Sequence, residues 1–292
     1  MPIPQADRVI GDSYISPEQT GKLLNKLPVD EKGNIITDLK EVLIRVFEET
    51  SPDKKPLGGI ELEKTERDLY IIHTATEAVK KFAEKYGREN FVDLPPDNIH
   101  FLKEGGVLEY TKARLSTGSH ATVLGQVLVD RRTDLQTAIT TFHELWHALG
   151  SHEAIQINTK GKIDWYRAGF NIKTRDSENE YFYHIDEALT GLMTKRFVEE
   201  ILMIDPTFKD EIEKLKTADQ EIDTTRRGDL KMLYDVAEAI YKRNQNTLES
   251  SEDVISLFLK GQITGNIMPI ARVVENTFGK GSFRKFGEFS QK

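Results

Sequence analysis

The residues best suited to chemistry lie within five consecutive positions. His143, Glu144 and His147 follow the order H-E-x-x-H. On a helix, positions i and i+4 share one face, so both imidazoles can reach a single metal ion. The Glu144 carboxylate would then lie beside a metal-bound water rather than among the ligands. Two nitrogen ligands, an open coordination position and a base are what metal-assisted hydrolysis requires.

The helix that must carry this motif has clear sequence signals. Thr133 and Gln136 have the spacing of a capping box, and Gly150 is a residue that commonly ends a helix. Apolar residues recur along one side of the segment between them: Leu135, Ile139, Phe142, Trp146 and Leu149. We therefore predict a helix from about 133 to 150, with the motif on its last two turns.

The elements before this helix are predicted to be one long helix and several strands. Residues 63–86 have helical periodicity and stop at Gly87, whereas β-branched residues are frequent in 120–130. Shorter strand-like runs cover 91–94 and 99–102, and Gly125 suggests a kink within the longest run. Three other histidines lie in these elements, and we interpret them as packed or solvated: His73, His100 and His120.

A catalytic zinc site usually has three protein ligands, and the sequence offers two sources for the third. One is Glu153, at the place where sites of the form H-E-x-x-H-x-x-G-x-x-H have their last histidine. His152 misses that register by one residue. The other is Glu187, near the start of a second amphipathic helix over 181–196, where small neighbours leave its face uncrowded. His184 in the same helix is a rival ligand.

The H-E-x-x-H motif followed by Asp186-Glu187 on a later helix resembles the gluzincins, zinc metallopeptidases whose third ligand is a downstream glutamate. The resemblance covers about residues 60–205 and implies that His143, His147 and Glu187 bind Zn²⁺. It makes Glu144 the general base and Asp186 an outer partner of the site. The interval between His147 and Glu187 is longer than in thermolysin; long intervals also occur in other gluzincin branches, such as the lethal-factor type.

The same resemblance implies a fold, a substrate and a mechanism. The fold would be α+β and zincin-like, with two lobes, a small mixed sheet, a backing helix and a mostly helical C-terminal lobe. The substrate would be a peptide or protein, bound along the edge of the strand 121–130. A tyrosine would stabilise the oxyanion; Tyr183 is preferred because it lies one helical turn before Glu187, and Tyr181 and Tyr166 are alternatives.

Three regions are expected along the chain: a helical N-terminal segment (1–60), an upper lobe with the sheet and the H-E-x-x-H helix (61–150), and a lower lobe (151–292). The last includes a predicted β-hairpin over 154–173. Its residues Trp165, Tyr166, Arg167 and Phe170 are equally compatible with substrate contact and with packing.

Composition restricts the alternatives. The net charge of −8 argues against a general nucleic-acid binder. The absence of cysteine excludes thiolate ligands, and with them the peptide deformylases, which use the same motif with a cysteine ligand. Neither a signal-peptide core nor a membrane span is recognisable, so we expect a cytoplasmic protein. Two other hypotheses stay open: a zincin-fold sensor or regulator with restricted or no proteolytic activity, and a helical structural protein with a chance motif.

Overall fold

The computed structural model describes residues 8–10, 59–89, 91, 94–111, 117–121, 126–157, 163–174, 179–222, 224 and 227–289. The predicted helical segment 1–60 therefore lies outside the described residues, except for 59–60 and a short strand at 8–10. The predicted kink at Gly125 and two residues of the predicted strand 91–94 lie outside them as well.

The described strands are β1 Arg8–Ile10, β2 Ile99–Leu102, β3 Gly118–Ala121, β4 Gln126–Asp130, β5 Glu153–Ile157, β6 Ile163–Ala168, β7 Asn171–Lys173 and β8 Glu180–Tyr181. The helices are α1 Glu66–Glu84, α2 Gly106–Thr111, α3 Asp134–Leu145, α4 Tyr183–Phe197, α5 Lys209–Thr217, α6 Arg227–Arg243, α7 Ser251–Thr264, α8 Met268–Phe278 and α9 Ser282–Phe289. Both α3 and α4 continue into π-helical turns, Trp146–Gly150 and Val198–Leu202. The protein is thus α+β, mostly helical with small sheets.

The first sheet is mixed and has the order β2-β4-β3. Strand β4 pairs in parallel with β2 and antiparallel with β3, so β4 is central and, among the described strands, β3 lies at an edge. The prediction of one strand over 120–130 is wrong in this respect, because the run contains parts of two paired strands. The edge strand is 118–121, whereas 126–130 is hydrogen-bonded on both sides.

The second sheet has the order β1-β5-β6-β7-β8. Strands β5 and β6 pair antiparallel, which confirms the predicted hairpin, and a register shift interrupts their ladder between Ala154 and Ile155. Of the four hairpin residues for which substrate contact and packing were equally expected, Arg167 and Phe170 are buried. Phe170 is fully buried and contacts Phe258, and the buried Arg167 donates hydrogen bonds to the carbonyls of Gly261 and Gly265. These two side chains hold the hairpin against α7.

The core positions α3 between α1 and α4. Phe142 stacks on Phe197 of α4, with ring centroids 4.3 Å apart, and meets Phe82 of α1 edge-on at 6.0 Å. All three rings are almost inaccessible to solvent. Because Phe142 directly precedes His143, this packing fixes the side of α3 from which the histidine projects. The predicted long helix is confirmed as α1, capped by Thr65 and Asp68 in a reciprocal box.

One cluster of buried apolar residues includes side chains from both 61–150 and 151–292. The predicted division into two lobes stays a prediction. Within the described part of the chain, no helix combines the length and apolar character needed to cross a membrane.

Candidate metal centre

The helix that carries H-E-x-x-H begins and ends as predicted, but its last turn is π-helical. Thr133 caps it by accepting the Gln136 N–H, and Glu211 of α5 accepts the N–H groups of Asp134 and Leu135 at 3.1 Å each. Regular α-helix stops at Leu145, and a π-helical turn follows, in which the Ser151 N–H donates to the carbonyl of Trp146.

Packing accounts for the glycine at the end of this turn. A Cβ on Gly150 would lie 2.9 Å from the indole of Trp146, so the chain has no room for a side chain there. His147 lies within this π-helical turn. Such turns are frequent at functional sites.

Three side chains meet at the end of this helix. Nε2 of His143 lies 3.5 Å from one carboxylate oxygen of Glu187, and Nε2 of His147 lies 4.0 Å from the other. One donor atom from each residue falls within 4.8 Å of the others. Among the residues that the structure describes, this is the single group of His, Asp and Glu side chains close enough to hold a metal.

Outer contacts orient both imidazoles. The hydroxyl of Thr194 donates to the Thr190 carbonyl at 2.8 Å and lies 3.3 Å from Nδ1 of His143. Since that hydroxyl proton is already engaged, we infer that the oxygen accepts from Nδ1–H. Nδ1 of His147 lies 3.3 Å from Oδ2 of Asp186. Each histidine therefore turns Nε2 towards Glu187, as metal-ligating histidines with hydrogen-bonded outer nitrogens do.

The arrangement fits a small divalent cation. Ligands about 2.0–2.2 Å from a tetrahedral zinc stand about 3.3–3.6 Å apart. The distance between His143 and Glu187 is already 3.5 Å, and the 4.0 Å distance between His147 and Glu187 needs only a small contraction. Two imidazoles and one carboxylate are a donor set that zinc accepts. The three side chains are 12–14% exposed, so they are mostly buried but keep some contact with solvent.

Several carboxylates concentrate negative charge around His147. Burial alone would lower the pKa of His147, but the hydrogen bond with Asp186 and the charges of Glu187, Asp186 and Glu144 outweigh it and raise the pKa to about 9. A site that draws a proton onto an imidazole has the negative potential that also attracts a cation.

The predicted base, Glu144, is buried and lies beside the three-residue group rather than in it. Its side chain packs against Gly118 of the edge strand β3 so closely that a Cβ on Gly118 would lie 2.7 Å from Cγ of Glu144. The same Cβ would lie 2.8 Å from Cγ2 of Thr140. Glu144 is therefore held in the space between the metal-binding helix and the edge of the sheet.

The rival ligand Glu153 lies outside the metal-binding group. It is buried, and one of its carboxylate oxygens lies 3.2 Å from Nδ1 of His120 on β3. Burial and, to a smaller extent, the charge of the neighbouring His147 together lower the pKa of His120 to about 3. The structure thus gives Glu153 a different partner and brings Glu187 to the histidines.

The remaining candidates lie on the first turn of α4. His184, the other rival ligand, is 3.1 Å from Asp229 of α6 and is not part of the group. The ring of Tyr183 meets that of His184 edge-on at 5.3 Å. The proposed role of Tyr183 at the oxyanion stays a prediction.

Sequence reasoning missed two residues near the centre, Thr194 and His120. Thr194 lies seven residues after Glu187, which is two turns further along the same face of α4, so helical spacing could have indicated it. His120 precedes the motif by more than twenty residues on a strand, and its proximity depends on how β3 packs against α3.

No protein-family model, curated protein or solved structure matches the chain. The interpretation of the centre therefore depends on its own geometry.

Proposed function

We propose that the protein is a zinc-dependent metallopeptidase of the gluzincin type, with a zincin-like fold and a peptide or protein as its substrate. His143, His147 and Glu187 would hold the zinc. The proposal starts from the close grouping of the donor atoms of these three residues. A divalent cation bound there supplies Lewis-acid polarisation of a carbonyl and activation of a water molecule. A donor set of this kind also occurs without catalysis, so a further feature has to carry the assignment.

The position of Glu144 is that feature. The two histidines of the motif, His143 and His147, belong to the group of metal-binding donors, whereas Glu144, which lies between them in sequence, does not. Its carboxylate charge nevertheless acts on His147. A carboxylate that is close to a metal centre without ligating it can take a proton from an attacking water and deliver it to the leaving nitrogen.

The elements around the centre are suited to the other tasks of the proposed peptidase, which are binding the substrate backbone, orienting the imidazoles and stabilising the oxyanion. Strand β3 is the edge of its sheet and contacts Glu144 at Gly118, so a substrate backbone paired to that edge would pass the base. Thr194 and Asp186 orient the two imidazoles from behind. Tyr183 is proposed as the hydrogen-bond donor to the oxyanion because it lies on the first turn of α4, before Glu187.

The replacement Glu144→Gln tests the assignment because it removes the base and keeps the side chain's shape. We expect peptide cleavage to fall by about 10²–10⁴-fold, the range for loss of a general base. Bound zinc should stay near about one equivalent per chain, because the residue is not a ligand. Cleavage would be followed with a quenched-fluorescence peptide library and zinc by elemental analysis of the purified protein.

Two variants provide the comparison. His143→Ala should lose both zinc and cleavage, and Glu84→Gln, an exposed change of the same type on α1, should lose neither. Zinc loss in Glu144→Gln to the extent seen in His143→Ala would make Glu144 a ligand and contradict the mechanism. A wild-type protein that binds zinc tightly and cleaves no library peptide would favour the alternative function of a zinc-containing sensor or regulator.

A further inference from the structure

A glutamine from the C-terminal part of the chain reaches the back of the metal centre. Gln262 of α7 is fully buried, and its side chain lies between the two helices that carry the metal-binding residues. Its Oε1 accepts from the indole N–H of Trp146 at 3.1 Å. Its Nε2 donates to Oδ1 of Asp186 at 2.9 Å and lies 3.2 Å from the hydroxyl of Thr190.

Chemistry fixes the orientation of this amide. The indole N–H of Trp146 is only a donor, so it must face the amide oxygen of Gln262. The amide nitrogen then points to Asp186, whose ionised carboxylate only accepts. A flipped amide would place two donors together at one end and two acceptors together at the other. Gln262 therefore joins α3 to α4 through a hydrogen-bond network with one consistent direction.

This network determines which oxygen of Asp186 faces the metal ligand. Oδ1 accepts both the Gln262 amide and the backbone N–H of Phe170, at 2.9 and 2.7 Å. Gly169 packs against the same oxygen with a φ of +60°, a close approach that a Cβ would prevent. With two donors on Oδ1, Oδ2 is left to face Nδ1 of His147 at 3.3 Å.

We propose that Gln262 is a positioning residue of the metal centre, which fixes the carboxylate of Asp186 and through it the ring of His147. The inference rests on the metal-binding part of the proposed function and extends it to helix α7. Loss of a group that is hydrogen-bonded to a metal ligand, as Asp186 is to His147, typically weakens metal binding 10–100-fold, and Gln262 acts on the centre through that group.

The test compares zinc affinity and a ligand-field spectrum in the full-length protein. Gln262→Leu removes both hydrogen bonds, and Gln262→Glu keeps the shape but puts a second carboxylate against Asp186. We expect both variants to bind zinc measurably more weakly than wild type in chelator competition, with the loss of Asp186 itself, about 10–100-fold, as the upper bound. The visible spectrum of the Co²⁺-loaded variants should change, because the imidazole of His147 is no longer held at one angle.

A control separates positioning from general destabilisation. Ile263→Ala opens a cavity at the neighbouring residue of α7, which is also buried, and should lower the melting temperature while leaving zinc affinity and the Co²⁺ spectrum as in wild type. If Ile263→Ala weakens zinc as much as the Gln262 variants do, the inference is overturned. It is equally overturned if the Gln262 variants keep wild-type affinity and spectrum, or if the wild-type protein binds neither ion.

If Gln262→Leu does not fold, Gln262→Glu decides alone by the same criteria. Loss of peptide cleavage is not among these readouts. A protein that binds zinc but cleaves nothing would refute the proposed peptidase and leave the role of Gln262 supported, so the two failures are distinguishable.

Discussion

Replacing Gly118 by alanine should displace the proposed base without touching a metal ligand. A Cβ at this position would lie 2.7 Å from Cγ of Glu144 and 2.8 Å from Cγ2 of Thr140, whereas ordinary contacts begin near 3.4 Å. Both contacts must therefore be relieved, by about 0.7 Å at Glu144 and about 0.6 Å at Thr140. Thr140 belongs to the tightly packed body of α3, so its contact requires a small shift of β3, whereas the longer side chain of Glu144 can itself move.

The displacement of Glu144 sets the expected loss of catalytic rate. A misplacement of about 1 Å in a catalytic group can cost about 10²-fold in rate, so we expect kcat/KM for peptide cleavage to fall by about that factor. Overpacking costs about 1–3 kcal/mol of folding free energy, and replacing glycine recovers about 0.4–1 kcal/mol through the unfolded state. The variant should thus be folded, slightly less stable, and fully loaded with zinc.

The assay measures cleavage, zinc content and urea unfolding side by side. Gly228→Ala is the matched control, since nothing lies within 4 Å of a Cβ there. It should cleave peptide and bind zinc as wild type does, and unfold at an equal or slightly higher urea concentration because alanine replaces glycine within a helix. Full activity in Gly118→Ala would show that the contact with Glu144 does not set the position of the base. Loss of zinc together with activity would refute the separation between base and ligands.

Two further predictions concern the third ligand and acid stability. Glu187→Gln should weaken zinc binding by more than about 100-fold, beyond the loss of an outer contact, whereas Glu153→Gln should bind zinc nearly as wild type; the reverse order would make Glu153 the ligand. Partial burial alone would raise the pKa of Asp134, but hydrogen bonds and charges from Arg131 and Arg67 outweigh it and lower the pKa below its ordinary value. Ionised Asp134 therefore stabilises the fold above about pH 4, and this contribution is lost as the pH falls through the lowered pKa. In urea unfolding, Asp134→Asn should be less stable than wild type at pH 7 and nearly equal to it at about pH 2; a gap of the same size at both pH values would refute this role.

Local periodicity was sufficient to predict much of what positions the centre. The helix α1, the strand β2 and the β5–β6 hairpin follow from apolar spacing and turn residues, and α3 follows from its cap and its apolar face. In each of these cases the signal lies within about twenty consecutive residues. The residues alone left Glu153 and Glu187 as alternative third ligands; the resemblance to gluzincins favoured Glu187, which the structure brings to the histidines.

The parts that sequence could not supply depend on contacts between distant segments. The run 120–130 has strand composition throughout, and only its pairing with β2 shows that β4 is central and β3 is the edge. Gly150, at the end of the π turn that carries His147, packs on Trp146 without room for a side chain, a contact that helical periodicity does not indicate. Similarly, the partner of Glu153 is a histidine more than thirty residues earlier, brought to it by the fold.

The orientation of His147 shows how much of the centre lies beyond the motif. Its outer nitrogen faces Asp186, and Asp186 is held by the amide of Gln262 and by the turn at Phe170. These contacts come from three separate elements, and two of them, α7 and the turn at Phe170, contribute no donor atom to the metal-binding group. A short H-E-x-x-H match specifies two imidazoles and a base, but their angles are set by buried polar residues far along the chain. Conversely, the same match in a chain without such contacts would leave both rings free to rotate and the donor atoms dispersed.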